Sequence, residues 1–118
     1  MAAPNIVNVT TITAKTAVAT LITNTSNIIV NSASSSTVDK INYISVANYS
    51  SATVSTNVMI NRSSTIYYLA GAVTVPAYST LVVSAKDTAI YLEEGDILQA
   101  SVSANSSASI TASYEIIA

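Results

Sequence analysis

The last third of the chain alternates polar and apolar side chains with a period of two. That period is incompatible with a helix and demands half-buried strands. Leu98, Ala100, Val102 and Ala104 alternate with Gln99, Ser101 and Ser103, and Ile110, Ala112, Tyr114 and Ile116 alternate with Ser109, Thr111, Ser113 and Glu115. Strands are predicted near 97–104 and 108–117. The short Asn105-Ser106-Ser107 link between them predicts a hairpin.

The same pattern runs back through the chain. Val54, Thr56, Val58 and Ile60 alternate with Ser55, Asn57, Met59 and Asn61. A strand over Thr65–Ala70 places Tyr67 and Tyr68 on opposite faces, and Gly71 can supply a turn or bulge. Val73–Val75 reads as a short strand or edge, ended by Pro76, which has no N–H to give to a ladder. Thr80–Ser84 is a further strand, bounded by Lys86-Asp87. Val38–Asn48 changes phase: Ile41 and Tyr43 point one way, Ile44 and Val46 the other. A bulge near Tyr43, or a strand covered on both faces, explains that change. Alternation over Thr16–Thr23 predicts a strand, Asn24–Asn27 a turn, Ile28–Val30 a short strand and Ser32–Thr37 a polar loop. Ile6, Val9 and Ile12 suggest an extended N-terminal arm over 1–14, ahead of a domain at 15–118. The expected fold is all-β, a single β-sandwich or jelly-roll-like domain of about eight to ten short antiparallel strands with turn signals at roughly ten-residue spacing.

Composition narrows the function. The chain has no His, Cys, Trp or Phe, and only four basic and six acidic residues among 118. Without His the commonest general base and metal ligand is missing, and a Ser-His-Asp triad cannot form. Without Cys there are no disulfides or thiolate metal sites. Lys15, Lys40, Arg62 and Lys86 are scattered singly, so no basic stripe exists to neutralise phosphates and no nucleic-acid partner is expected. No apolar run approaches the roughly 20 residues of a membrane helix, so no membrane partner is expected. The opening Met1-Ala-Ala-Pro-Asn-Ile-Val has neither the basic nor the apolar region of a secretory signal. A non-enzymatic protein without cofactors is the expectation.

One dense ionisable group stands out, Glu93-Glu94-Gly95-Asp96. Carboxylate oxygens suit Ca²⁺ or Mg²⁺, which makes Glu93, Glu94 and Asp96 weak metal candidates. The competing reading is a solvated turn in which Gly95 takes a positive φ, and the absence of EF-hand ligand spacing favours it. Glu93 or Glu94 with Asp39, Asp87 or Glu115 has the residue types of a glycosidase pair, but a sugar cleft lined by Trp or Phe is impossible here. The seven tyrosines must supply much of the aromatic core; Tyr78, beside Pro76 in a loop, is the expected exposed contact. Sparse charge and a core of small side chains predict self-association into a homo-oligomer.

Several stretches carry a family resemblance. Ile90-Tyr-Leu-Glu-Glu-Gly-Asp-Ile-Leu, Ala100-Ser-Val-Ser-Ala-Asn and Ser113-Tyr-Glu-Ile-Ile resemble the C-terminal end of small virion structural proteins of marine tailed phages, of the cyanophage and pelagiphage type. Ile41-Asn-Tyr-Ile-Ser-Val-Ala-Asn, Tyr67-Tyr-Leu-Ala, Val75-Pro-Ala and Thr80-Leu-Val-Val follow the same pattern in the same order. Ile12-Thr-Ala-Lys-Thr-Ala fits too, with Ala14 where Gly is expected. The resemblance implies a particle component located in the virion, with other virion proteins as partners: the major capsid protein, or neck or tail proteins. It carries no catalytic residues. A capsid decoration or cement subunit is the leading expectation, with Ile6, Val9, Ile12 and Tyr78 as contact candidates. A neck, tail or fibre component, or a carbohydrate- or receptor-binding module, is the alternative.

Overall fold

The computed structural model describes residues 10–118. Nine strands are β1 (Ile12–Thr20), β2 (Ser26–Val30), β3 (Val38–Asn48), β4 (Val54–Arg62), β5 (Thr65–Val75), β6 (Thr80–Ser84), β7 (Ile90–Leu92), β8 (Ile97–Val102) and β9 (Ala108–Ile117). A single 3-10 turn, Lys86–Thr88, joins β6 to β7. The strands form two antiparallel sheets packed as a β-sandwich. The front sheet runs β1-β9-β3-β6, with β7 also on β3, and the back sheet runs β2-β8-β4-β5. The pairings nest: β4 with β5, β3 with β6 and β7, β2 with β8, β1 with β9. The chain resembles one long hairpin, turned at Ser63–Ser64 and rolled into two sheets.

Alternation places the core. Ile41, Ile44, Val46, Ile110 and Ala112 of the front sheet meet Val58, Leu98, Ala100 and Val102 of the back sheet, closed by Leu21, Ile29, Val75 and Leu92. Burying one such Ile or Leu side chain stabilises the fold by about 1.5–3 kcal/mol. The phase change in β3 is a bulge. Ile41 pairs with Tyr114 and Tyr43 with Ser113, leaving Asn42 as the extra residue. The bulge turns Ile44 into the core after Ile41, so that both are fully buried.

Two expectations need correction. The strands over 97–104 and 108–117 exist as β8 and β9, but they do not form a hairpin: β8 lies in the back sheet and β9 in the front. Residues 103–107 cross between the sheets, held where Val102 N–H donates to Ile22 O at 3.0 Å and Ser106 N–H to Leu21 O at 3.1 Å. Two half-buried strands facing each other across a core show the same alternation as two lying side by side, so periodicity could not separate the cases. The pieces 65–70 and 73–75 are also one strand. β5 runs through Gly71 by bulging, with Ala72 at φ 50° and its N–H donating to Asn57 Oδ1 at 2.7 Å. Ile12–Ala14 belong to β1 and pair with Ile117, Ile116 and Glu115; Ile6 and Val9 lie outside the described residues.

Loops poor in charge are held by buried amides. Asn48 donates to Ala52 O at 2.8 Å and to Val75 O and Pro76 O at 3.1 Å, while its Oδ1 accepts from Ser50. Asn31 donates to Thr37 O and Leu92 O, each at 3.0 Å. Each amide ties a loop to a backbone carbonyl buried beneath it, Val75 O for Asn48 and Leu92 O for Asn31.

Candidate functional site

The acidic turn folds as a structural clasp. Gly95 takes φ +87°, which a side chain would strain. That reversal brings Asp96 back over the turn, where its carboxylate accepts from Glu93 N–H at 2.9 Å. Arg62, at the end of β4, closes the pair. Its Nε donates to Asp96 Oδ1 at 2.9 Å and its Nη2 to Asp96 Oδ2 at 2.6 Å, a bidentate fork. Nη2 also reaches Glu93 Oε2 at 3.0 Å. Glu94 turns away and accepts from Ser36 N–H at 2.8 Å. Burial pushes the Asp96 carboxyl up, but the Arg62 fork and the Glu93 N–H outweigh it and hold the group below the usual carboxylate range. The Asp96 hydrogen bond raises the Arg62 guanidinium in turn. The three metal candidates are thus directed at an arginine and backbone amides, and no group of three carboxylates able to hold a metal ion occurs among the described residues.

A second ionisable group sits between the sheets. Asp39 faces inward on β3 and is 4% exposed. Burial pushes its carboxyl up, and the Lys15 charge draws it partly back. Register places Lys15 and Tyr114 opposite each other on adjacent strands. Burial, then the Asp39 charge, raise the Tyr114 phenol. Glu115 pairs with Lys40 on the outer face and accepts from Asn42 at 3.3 Å. Asp39 and Glu115 therefore occupy opposite faces of one sheet, not the two sides of a cleft.

The surface that the sequence reading missed is the outer edge of the back sheet. Among the described residues β5 pairs with β4 alone, so its other edge offers unpaired N–H and C=O groups. Ile66 and Tyr68 share the outer face, opposite Asn61 and Met59 of β4. Tyr67 shares the inner face with Ile60. Tyr67 is 57% and Tyr68 62% exposed, and Ile66 and Leu69 are exposed beside them. Next to this edge a cleft of about 440 Å³ opens between the sheets, lined by Ile60, Arg62, Tyr67, Ile90 and Tyr91. One sequence signal could have found it: from Ser63 to Ala85 the chain carries no charge, although large apolar residues occupy both faces of the strand at 66–69.

The contact candidates from sequence are spread over the molecule. Ile12 is exposed on β1, at the opposite edge of the front sheet. Tyr78 is 74% exposed, lifted by a turn in which Ser79 N–H donates to Pro76 O at 3.2 Å and Tyr78 itself takes φ 58°. Neither lies on β5. Comparison with protein-family models, with curated proteins and with solved structures returned no match.

Proposed function

We propose that this chain is a non-enzymatic structural subunit of a tailed-phage virion, most simply a capsid decoration or cement subunit that works through β-rich contacts with neighbouring virion proteins. The observation that carries the reading is the long, uncharged and apolar open edge of β5, a surface suited to strand pairing with another chain. The described ionisable residues are mostly tied into the clasp, the Asp39 group or the Lys40–Glu115 pair on the outer face. The nested pairings support the same reading. Setting β7 aside, we read the nested order of the eight remaining strands as that of a jelly roll, an architecture that recurs in viral capsid proteins. The sequence resemblance adds the tailed-phage assignment.

Purified particles test this directly. Immunogold labelling and quantitative mass spectrometry should find the chain on the head surface in a fixed, high ratio to the major capsid protein. A few copies at the neck or tail would move it to that position on the virion. Absence from particles would refute a virion role.

A further inference from the structure

We propose that β5 is a homotypic pairing edge: two copies of this chain join antiparallel through β5 and double the four-stranded back sheet. The open edges of the sandwich are not equivalent. β1 carries Lys15 and β7 spans only three residues. β2 and β6 each expose one large apolar side chain, Val30 and Val82. β5 carries no charge or proline, and its first five residues, Thr65–Leu69, which are the ones that pair about the axis through Tyr67, expose four: Ile66, Tyr67, Tyr68 and Leu69.

Charge and symmetry select a second copy as the occupant. A neutral strand offers nothing to a charged partner, while pairing with itself brings no like charges together. A two-fold axis through Tyr67, perpendicular to the sheet, makes the contact isologous. Tyr67 then meets its own copy on the inner face, at the mouth of the cleft lined by Ile90 and Tyr91. On the outer face Ile66 meets Tyr68 of the second copy, twice by symmetry. Aromatic and β-branched cross-strand pairs of this kind stabilise antiparallel sheets. Such pairing uses up both β5 edges, so the product is a closed dimer. It needs no particle and no other protein, so its failure in solution is distinct from a failure of the virion role.

Sedimentation velocity of the full chain over a concentration series tests it. The wild-type chain should show a monomer–dimer equilibrium. Tyr68→Lys and Ile66→Lys, both at exposed positions, should each weaken dimerisation by about tenfold or more by placing like charges across the axis. An equimolar mixture of Y68K and Y68E should recover the dimer at low salt, because opposite charges then lie diagonally across the axis, well within a Debye length. Val82→Lys, on the outer face of the front sheet, should leave the equilibrium unchanged. The proposal is overturned by a wild-type monomer at every concentration, by growth into open polymers, by equal loss in V82K, or by no recovery in the mixture. Far-UV circular dichroism of each variant separates lost pairing from lost folding.

Discussion

β3 and β5 are both eleven residues long, yet they have opposite fates. β3 carries Asp39 and Lys40 and is nonetheless buried along most of its length, while β5 is wholly uncharged and is exposed over its first five residues. Composition alone would have placed them the other way round. The difference is position. β3 lies between β9 on one side and β6 and β7 on the other, under the core of the opposite sheet, whereas β5 has one neighbour. A strand's burial is decided by how many elements cover it, not by how apolar it is. An apolar strand left at an edge therefore keeps its side chains and one row of backbone groups exposed.

The contrast can be broken by mutation. Ile44→Ala in β3 should lower unfolding stability by about 2–5 kcal/mol, because it opens a cavity at a fully enclosed site. Ile66→Ala in β5 should change it by less than about 0.5 kcal/mol. Urea midpoints measured on dilute protein compare the two, and equal losses would erase the distinction between centre and edge.

Arg62 sits where β4 turns into β5, and it tests whether the clasp anchors the edge hairpin. Arg62→Ala should cost roughly 1–3 kcal/mol at neutral pH, because Asp96 stays buried without its fork. The guanidinium is itself half-exposed, which places the loss toward the lower part of that range. The pH dependence should change sign as well. In the wild type the folded Asp96 carboxyl lies below its ordinary value of 3.8, so its contribution is present above that value and is lost as pH falls through the lower folded one. Without Arg62 only burial and the Glu93 N–H remain. If burial dominates, the same carboxyl disfavours ionisation and stability falls as pH rises. Acid titrations of unfolding in the two proteins should show opposite slopes from this group.

Asp39 sharpens the β3 side. Its folded carboxyl is raised above 3.8, so its effect on stability is unfavourable once ionised. Stability declines as pH rises from that value through the raised one, and the penalty persists at neutral pH. Asp39→Asn should therefore stabilise the fold at pH 7 by about 1 kcal/mol or less, with no gain below the ordinary carboxylate range. Thermal melts at acid and neutral pH check both halves.

A small gain in stability is expected at the tip of the β4–β5 hairpin, where Ser63 and Ser64 both take positive φ. A two-residue turn of this hand favours glycine at its second position. Ser64→Gly should raise stability by a few tenths to about 1 kcal/mol. Amide exchange along β5 should slow without any change of register.

Much of the fold was legible because period two is a local property. The bounds of β3, β6 and β9, the phase change at Tyr43 and the Gly95 turn all follow from neighbouring residues. The β8–β9 hairpin failed because alternation reports that one face is buried, not what buries it. The clasp was half visible: Glu93-Glu94-Gly95-Asp96 was singled out, but its partner Arg62 lies more than thirty residues away in sequence, as the 34-residue separation of the Arg62–Asp96 bond shows. The burial of Asp39 was invisible for a similar reason, since it depends on Leu92 and Ile116 arriving from other strands.

The sequence by itself determined that this chain is built of strands, where most of them begin and end, and which side chains share a face. Those properties follow from backbone stereochemistry and from the character of adjacent side chains. Only the tertiary structure decided which strands became central, which link crossed between sheets, that the chain's one arginine closed the acidic turn, and that an uncharged strand with Ile66, Tyr67, Tyr68 and Leu69 was left at an edge. Those outcomes depend on the free energy of contacts between residues far apart in the chain, and a local pattern carries no record of which distant partner arrives.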